Sequence, residues 1–196
     1  MATHKEVQRI IEASYKKNKD IHDIGDYKLD KKLSTSEAKV FHDDKTDKTI
    51  VANRGTAGTA RDWGNNIAYV TGNYNKTQRL KNAKKVQKEV KEKYGKVDEN
   101  IGHSQGSIIS RKFAKSGKTD SAVLVNPATL GERTGDNVKT IRAKNDVVSI
   151  LNNKKNNTET IDTGSFDVFK NHAPSVLQNS SKYLVGGSVG LAFAHD

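Results

Sequence analysis

Cysteine is absent from all 196 residues, which removes disulfides and thiolate metal sites and leaves the redox compartment open. Proline occurs twice, as Pro127 and Pro174, each where a loop is expected. Only one tryptophan, Trp63, is present. No apolar run reaches the ~18–20 residues of a membrane span. The N-terminus, "MATHKEVQRIIEASYKKNKD", lacks the apolar stretch of a secretory signal peptide. The expected location is therefore cytoplasmic or virion-associated, not Sec-secreted. No zinc spacing is present, and no stacking aromatics alternate with glycines, so no specific nucleic-acid module is expected. Apolar residues make up only 33% of the chain and mean hydropathy is −0.79. They cluster in runs such as "KTIVANRG" and "SAVLVNPA", so a folded domain with an economical core is expected over 1–196.

What is abundant is positive charge. The net charge is +11 and the pI about 9.6. Such a chain is drawn to anionic surfaces, and an anionic membrane is the partner this charge suggests. The densest lysine stretch, "KTQRLKNAKKVQKEVKEKYGK" (76–96), has helical periodicity and interspersed glutamates, so a solvated helix face is the better reading of it and an anionic surface the alternative. The longest apolar stretch, "YLVGGSVGLAFAHD", ends the chain and reads as a buried final segment or a contact surface.

Hydrophobic periodicity predicts an amphipathic helix over 5–18 carrying Val7, Ile10, Ile11 and Tyr15, then a polar loop over 19–36. Two strands around the turn "DDKTDK" follow within 38–56, the first carrying Val40 and Phe41 and the second "TIVAN". The basic helix ends at Gly95, a weak strand lies in "KVDENIGHS", and a helix runs from "SQGSIIS" to Gly117. "SAVLVNPA" and "NVKTIRAKNDVV" are strands, with "TETIDTG" a further candidate, and "HAPSVLQNSSKYL" reads as a late helix starting after His172. This alternation predicts an α/β fold with a mostly parallel sheet covered by helices. An N-terminal helix and loop (1–36), a core (38–177) and a C-terminal segment (178–196) are expected.

Gly102-His103-Ser104-Gln105-Gly106 fits G-x-S-x-G. On a tight strand-to-helix turn the glycines avoid collisions and the serine hydroxyl stands above the sheet edge. Five residues with three fixed also arise by chance, so a chemically inert Gly-Ser loop stays open. An activated serine needs a base and a carboxylate to orient it. His172 and His195 follow Ser104; His195 is penultimate and expected to fray, which leaves His172. Asp146 ends a predicted strand, and Asp162 and Asp167 are poorer candidates. The oxyanion needs donors: the N–H of Gln105, and one from the loop "NRGTAGTARDW" that follows "TIVAN".

Together "TIVANRGTAGTARDW", "GHSQGS", "IRAKNDVV" and "NHAPSVL" resemble the class 3 lipases, the fungal-lipase-like α/β-hydrolases. The resemblance implies Ser104 as nucleophile, Asp146 as orienter and His172 as base. It implies an oxyanion hole of Thr56 and Gln105, and structural support from Gly102, Gly106, Arg54, Gly55, Asp62 and Trp63. It implies carboxylic ester hydrolysis on a lipid; no metal site is suggested and the triad mechanism requires no metal or cofactor, although some lipases bind structural calcium. Asn53 stands where the family has an aromatic, and Asp146-Val147-Val148 replaces Asp-Pro-Val. The short segment after Trp63 implies a short or absent lid. Two alternatives stay open: an inactive hydrolase-fold protein that binds a membrane or partner, and an acyltransferase or thioesterase with the same triad.

Overall fold

The computed structural model describes residues 1–56, 78–128, 135–146, 149, 157–179 and 183–184. The first helix, α1 (His4–Ser14), starts in a capping box: Thr3 Oγ1 accepts from the Glu6 N–H, while the Glu6 carboxylate accepts from the Thr3 N–H. It stops at Ser14, four residues short of the predicted end, and Asn18–Asp20 form a separate 3₁₀ turn. The chain then makes β1 (Lys28–Leu29), β2 (Ala38–Asp43), β3 (Lys48–Asn53), α2 (Gln78–Tyr94), β4 (Glu99–His103), α3 (Gly106–Lys115) and β5 (Ser121–Val125). Next come β6 (Val138–Ala143), β7 (Thr158–Ile161), α4 (Val168–His172), a 3₁₀ turn at Val176–Asn179, and β8 (Tyr183–Leu184).

These strands form one eight-stranded sheet in chain order. The four central pairings, from β3–β4 to β6–β7, are parallel; the pairings at the edges are antiparallel. The expected α/β fold is thus what forms, with β2 and β3 as the predicted hairpin. The two-residue strands β1 and β8 fall in segments read as loop and helix, because two residues carry no periodicity.

Both faces of the central strands are covered, so side chains alternate between two cores. Phe41, Ile50, Ala52, Ile101, Val123 and Ile141 point to the face packed by Val7, Ile10 and Ile11 of α1 and by Val176 and Leu177. Val40 and Val51 face Val86 and Val90 of α2, while Ala122 and Leu124 face Ala114 of α3. Burying each of the valine, leucine, isoleucine and phenylalanine side chains stabilises the fold by about 1.5–3 kcal/mol. The lysines of α2 stay outside this packing: its buried residues are Leu80, Ala83, Val86, Gln87 and Val90. Gly95 ends the helix with φ +79°, as expected of a left-handed cap.

Parallel strands bring their C-terminal ends together, at Asn53, His103, Val125 and Ala143. Loops leaving that end converge on one place, where an open α/β sheet generally keeps its site. No helix among the described residues is long and apolar enough to cross a membrane.

Candidate active site

Strand β4 ends at His103 and α3 starts at Gly106, leaving two residues to reverse the chain. Ser104 takes φ +52°, a region that costs a non-glycine residue about 1–3 kcal/mol. The turn is held by its backbone: Ser104 N–H donates to Val125 O at 3.0 Å, and Ser107 N–H to Ser104 O at 3.0 Å. Gly102 and Gly106 are required sterically. A Cβ on Gly102 would lie 2.6 Å from Ser107 Cα, and one on Gly106 2.0 Å from Asn53 O. Ser104 is fully buried, and its Oγ has no hydrogen-bond partner. A buried hydroxyl without a partner costs about 1–3 kcal/mol and marks a site worth explaining.

His172 and Asp146, 26 residues apart, meet: Nδ1 and Oδ1 are 2.7 Å apart and both side chains are buried. Asp146 leaves the end of β6, and its second oxygen accepts the Ser149 N–H at 3.1 Å. His172 does not precede a helix, contrary to expectation, but ends the short α4. Pro174 explains this, because it pushes the residue before it out of helical geometry and ends the helix. Asn126 binds these loops together, donating from Nδ2 to Asn171 O at 2.6 Å and accepting the Ala143 N–H at 2.8 Å.

Two residues with no predicted role join the serine turn to the histidine loop. His103, next to Ser104, has Nε2 3.0 Å from His172 O. A carbonyl only accepts, so Nε2 carries the proton and Nδ1 is the acceptor. Nδ1 therefore receives the Tyr15 hydroxyl at 2.6 Å, and Tyr15 in turn accepts the Gly55 N–H at 2.7 Å. Burial pushes the Tyr15 phenol up to about 12, so it stays a donor. Burial first, and the nearby His172 second, push His103 down to about 3.

Stability should depend on that shift. His103 is neutral in the fold, while an unfolded histidine gains a proton near pH 6.5. The contribution is complete above that pH and drains away as pH falls toward 3, at about 1.4 kcal/mol per pH unit. Between pH 7.0 and 5.5 the wild type should lose about 1 kcal/mol more than His103→Asn in urea titrations. Equal losses would mean that His103 is not held neutral.

The Arg54–Thr56 loop lies directly against the serine: a Cβ on Gly55 would be 3.0 Å from Ser104 Cβ and 2.6 Å from the Tyr15 hydroxyl. Thr56 Oγ1 donates to Gln105 Oε1 at 2.6 Å, so the two oxyanion candidates are brought together. Arg54 donates from Nε to Ser36 O and lies 6.0 Å from the Tyr15 ring centroid. Arg79 of α2, also without a predicted role, donates to the carbonyls of Arg54 and Gly55. His103 lies within the serine motif although its contacts are distant, and no local signal marks Tyr15 or Arg79, whose contacts here span 24 or more residues. Asp62, Trp63, the short segment that follows Trp63 and Val147-Val148 lie outside the described residues. So does most of the C-terminal apolar stretch. No group of His, Asp and Glu able to hold a metal occurs among the described residues.

No protein-family model matches the chain, and no curated sequence matches it. Among solved structures, the Lip2 lipase from Yarrowia lipolytica is similar in fold. Its TM-score is 0.52 at 12% sequence identity, over 81% of this chain and 79% of that one. The α/β architecture is therefore one also found in a lipase.

Proposed function

We propose that this chain is a serine hydrolase that cleaves carboxylic esters of lipids, through Ser104, His172 and Asp146. The observation that carries the reading is the buried His172–Asp146 pair, tied through His103 to a strained serine turn. With Nδ1–H donated to Asp146, the other nitrogen of His172, Nε2, is left as the base. It takes the proton from Ser104 Oγ as that oxygen attacks the ester carbonyl carbon. The oxyanion would be met by the N–H groups of Thr56 and Gln105, each worth about 3–4 kcal/mol in related chemistry. The imidazolium formed on His172, stabilised by Asp146, then gives its proton to the departing alcohol. Water repeats the sequence on the acyl-serine and regenerates the enzyme. No step needs a metal or cofactor. Lipid esters are the favoured substrates because the similar fold belongs to a protein named a lipase and because the chain carries +11. That charge favours an anionic lipid surface by roughly 1 kcal/mol for each lysine or arginine close to it.

The test is covalent. A fluorophosphonate probe should label the native protein, with the added mass on Ser104 of the tryptic peptide 97–111 and not on Ser107 or Ser110. p-Nitrophenyl butyrate should turn over at a rate the probe abolishes. A native protein that neither labels nor turns over esters would leave the inactive, binding-only reading standing.

A further inference from the structure

A concave site lies at the opposite end of the sheet from Ser104. Its volume is about 390 Å³. Lys84, Lys88, Lys91, Lys96 and Lys118 line it, with Asp120 as the one acid in the lining. The fold explains their meeting. Lys84, Lys88 and Lys91 are spaced i, i+4, i+7 on α2, so they share one face. Gly95 then turns the chain, and Lys96 stands just before β4. Gly117, at φ +65°, turns the chain after α3 and places Lys118 just before β5. The segments leading into two adjacent parallel strands thus set two lysines beside the helical row. The five residues of β4 span about 16 Å, which separates this groove from the serine turn.

The local acids do not neutralise it. Lys96 is held by Asp98 at 2.6 Å and Asp120 at 3.3 Å, and Lys88 by Glu92 at 3.6 Å. Among the described residues, Lys84, Lys91 and Lys118 have no carboxylate within ion-pair distance. The C-termini of α2 and α3 end at this side and add roughly half a negative charge each. Asp98, Asp120, Glu92 and those two partial charges amount to about −4 against five ammoniums, so the remaining excess is small and is carried by Lys84, Lys91 and Lys118.

We infer that this groove binds a compact, multiply charged phosphate-type anion. Lysine ammoniums on flexible stems close around such an anion from several directions. The lining holds no arginine to make a flat two-point contact. Its one aromatic, Phe113, is 2% exposed, so a nucleobase finds nothing to stack on. A cavity of this size suits a clustered anion better than an extended strand. The groove is remote from Ser104, so the anion is not the hydrolysed substrate. Its binding stabilises the protein without occupying the serine turn, and it is independent of the ester chemistry.

Calorimetric titration of the full chain with sodium tripolyphosphate at fixed ionic strength tests this. Saturable one-to-one binding is expected. Lys91→Glu with Lys118→Glu should weaken it at least about tenfold, given the short range of these charges. Lys31→Glu with Lys32→Glu, an equal charge change on an exposed loop, should weaken it less than about twofold. Circular dichroism melts of both variants control for folding. Vesicles bearing an inositol bisphosphate headgroup, set against phosphatidylserine vesicles of equal surface charge, identify the source. Binding to the former assigns a headgroup, and tripolyphosphate binding with both vesicles inert assigns a free anion. Equal weakening by both pairs would overturn the site in favour of diffuse charge. So would an oligonucleotide that outcompetes tripolyphosphate at equal phosphate, in favour of a nucleic-acid track.

Discussion

Asp146→Asn is expected to lower kcat/KM on p-nitrophenyl butyrate by about 10⁴-fold while leaving the melting temperature almost unchanged. The two proteins differ by one atom, and the effect follows from how that atom must face. Asp146 uses one oxygen for His172 Nδ1 at 2.7 Å and the other for the Ser149 N–H at 3.1 Å. An asparagine has one acceptor and one donor to fill the two places. Turning its NH₂ toward the Ser149 N–H would set two donors face to face. The amide oxygen therefore goes to Ser149, and the NH₂ goes to His172. Nδ1 must then accept, so the proton moves to Nε2, the atom proposed to take a proton from Ser104. The imidazole keeps its position and loses its function. Fluorophosphonate labelling should slow by a similar factor, because it needs the same activation of the serine. A variant that kept turnover within about tenfold of the wild type would remove Asp146 from the proposed role.

The parts of this site that could be read in the sequence are those whose cause is local. Gly102 and Gly106 flank a serine at a spacing that only a tight turn makes useful, and the structure places all three on one. The strand before it and the helix after it follow from runs of a few residues, as do β5 and β6. Asp146 could be chosen because a strand visibly ends at it. His172 stands out only because few histidines follow Ser104, and its setting differs from the one its neighbours predict. The apolar spacing in "HAPSVLQNSSKYL" suggested a helix after it, whereas Pro174 forces the helix to finish before it. Asn53 shows a different limit. In sequence it stands where an aromatic is usual in the family that the chain resembles. In the fold its amide donates to Asn100 Oδ1 at 3.1 Å and Ser110 Oγ at 3.0 Å, inside a buried polar network between β3, β4 and α3. Satisfied networks of that kind depend on three elements at once, and so do the Tyr15–His103 and Arg79–Arg54 contacts. No window along the chain contains them.

Gly106→Ala should destabilise the fold by at least about 3 kcal/mol, which for a chain of this size is a fall in melting temperature of roughly 6–12 °C. The new Cβ would sit 2.0 Å from Asn53 O and 2.6 Å from Arg54 O. Neither atom is free to retreat. Asn53 lies on β3, paired with β2 on one side and β4 on the other, and its side chain is fixed in the network between strand and helix. Arg54 O is held by the Arg79 guanidinium, and the Arg54 N–H by Glu37 O at 3.2 Å. Relief must come from shifting either the first turn of α3 or the loop that carries Gly55 and Thr56. Each shift moves a part proposed to face the substrate, so residual turnover should fall with the stability. Gly95→Ala separates packing from backbone preference. Gly95 has φ +79°, but nothing lies within 4 Å of the added carbon. Its cost is the left-handed penalty alone, about 1–2 kcal/mol. Thermal melts of the two variants beside the wild type decide the matter. If Gly95→Ala were the more damaged protein, close packing of the serine turn against β3 would not be what fixes its geometry.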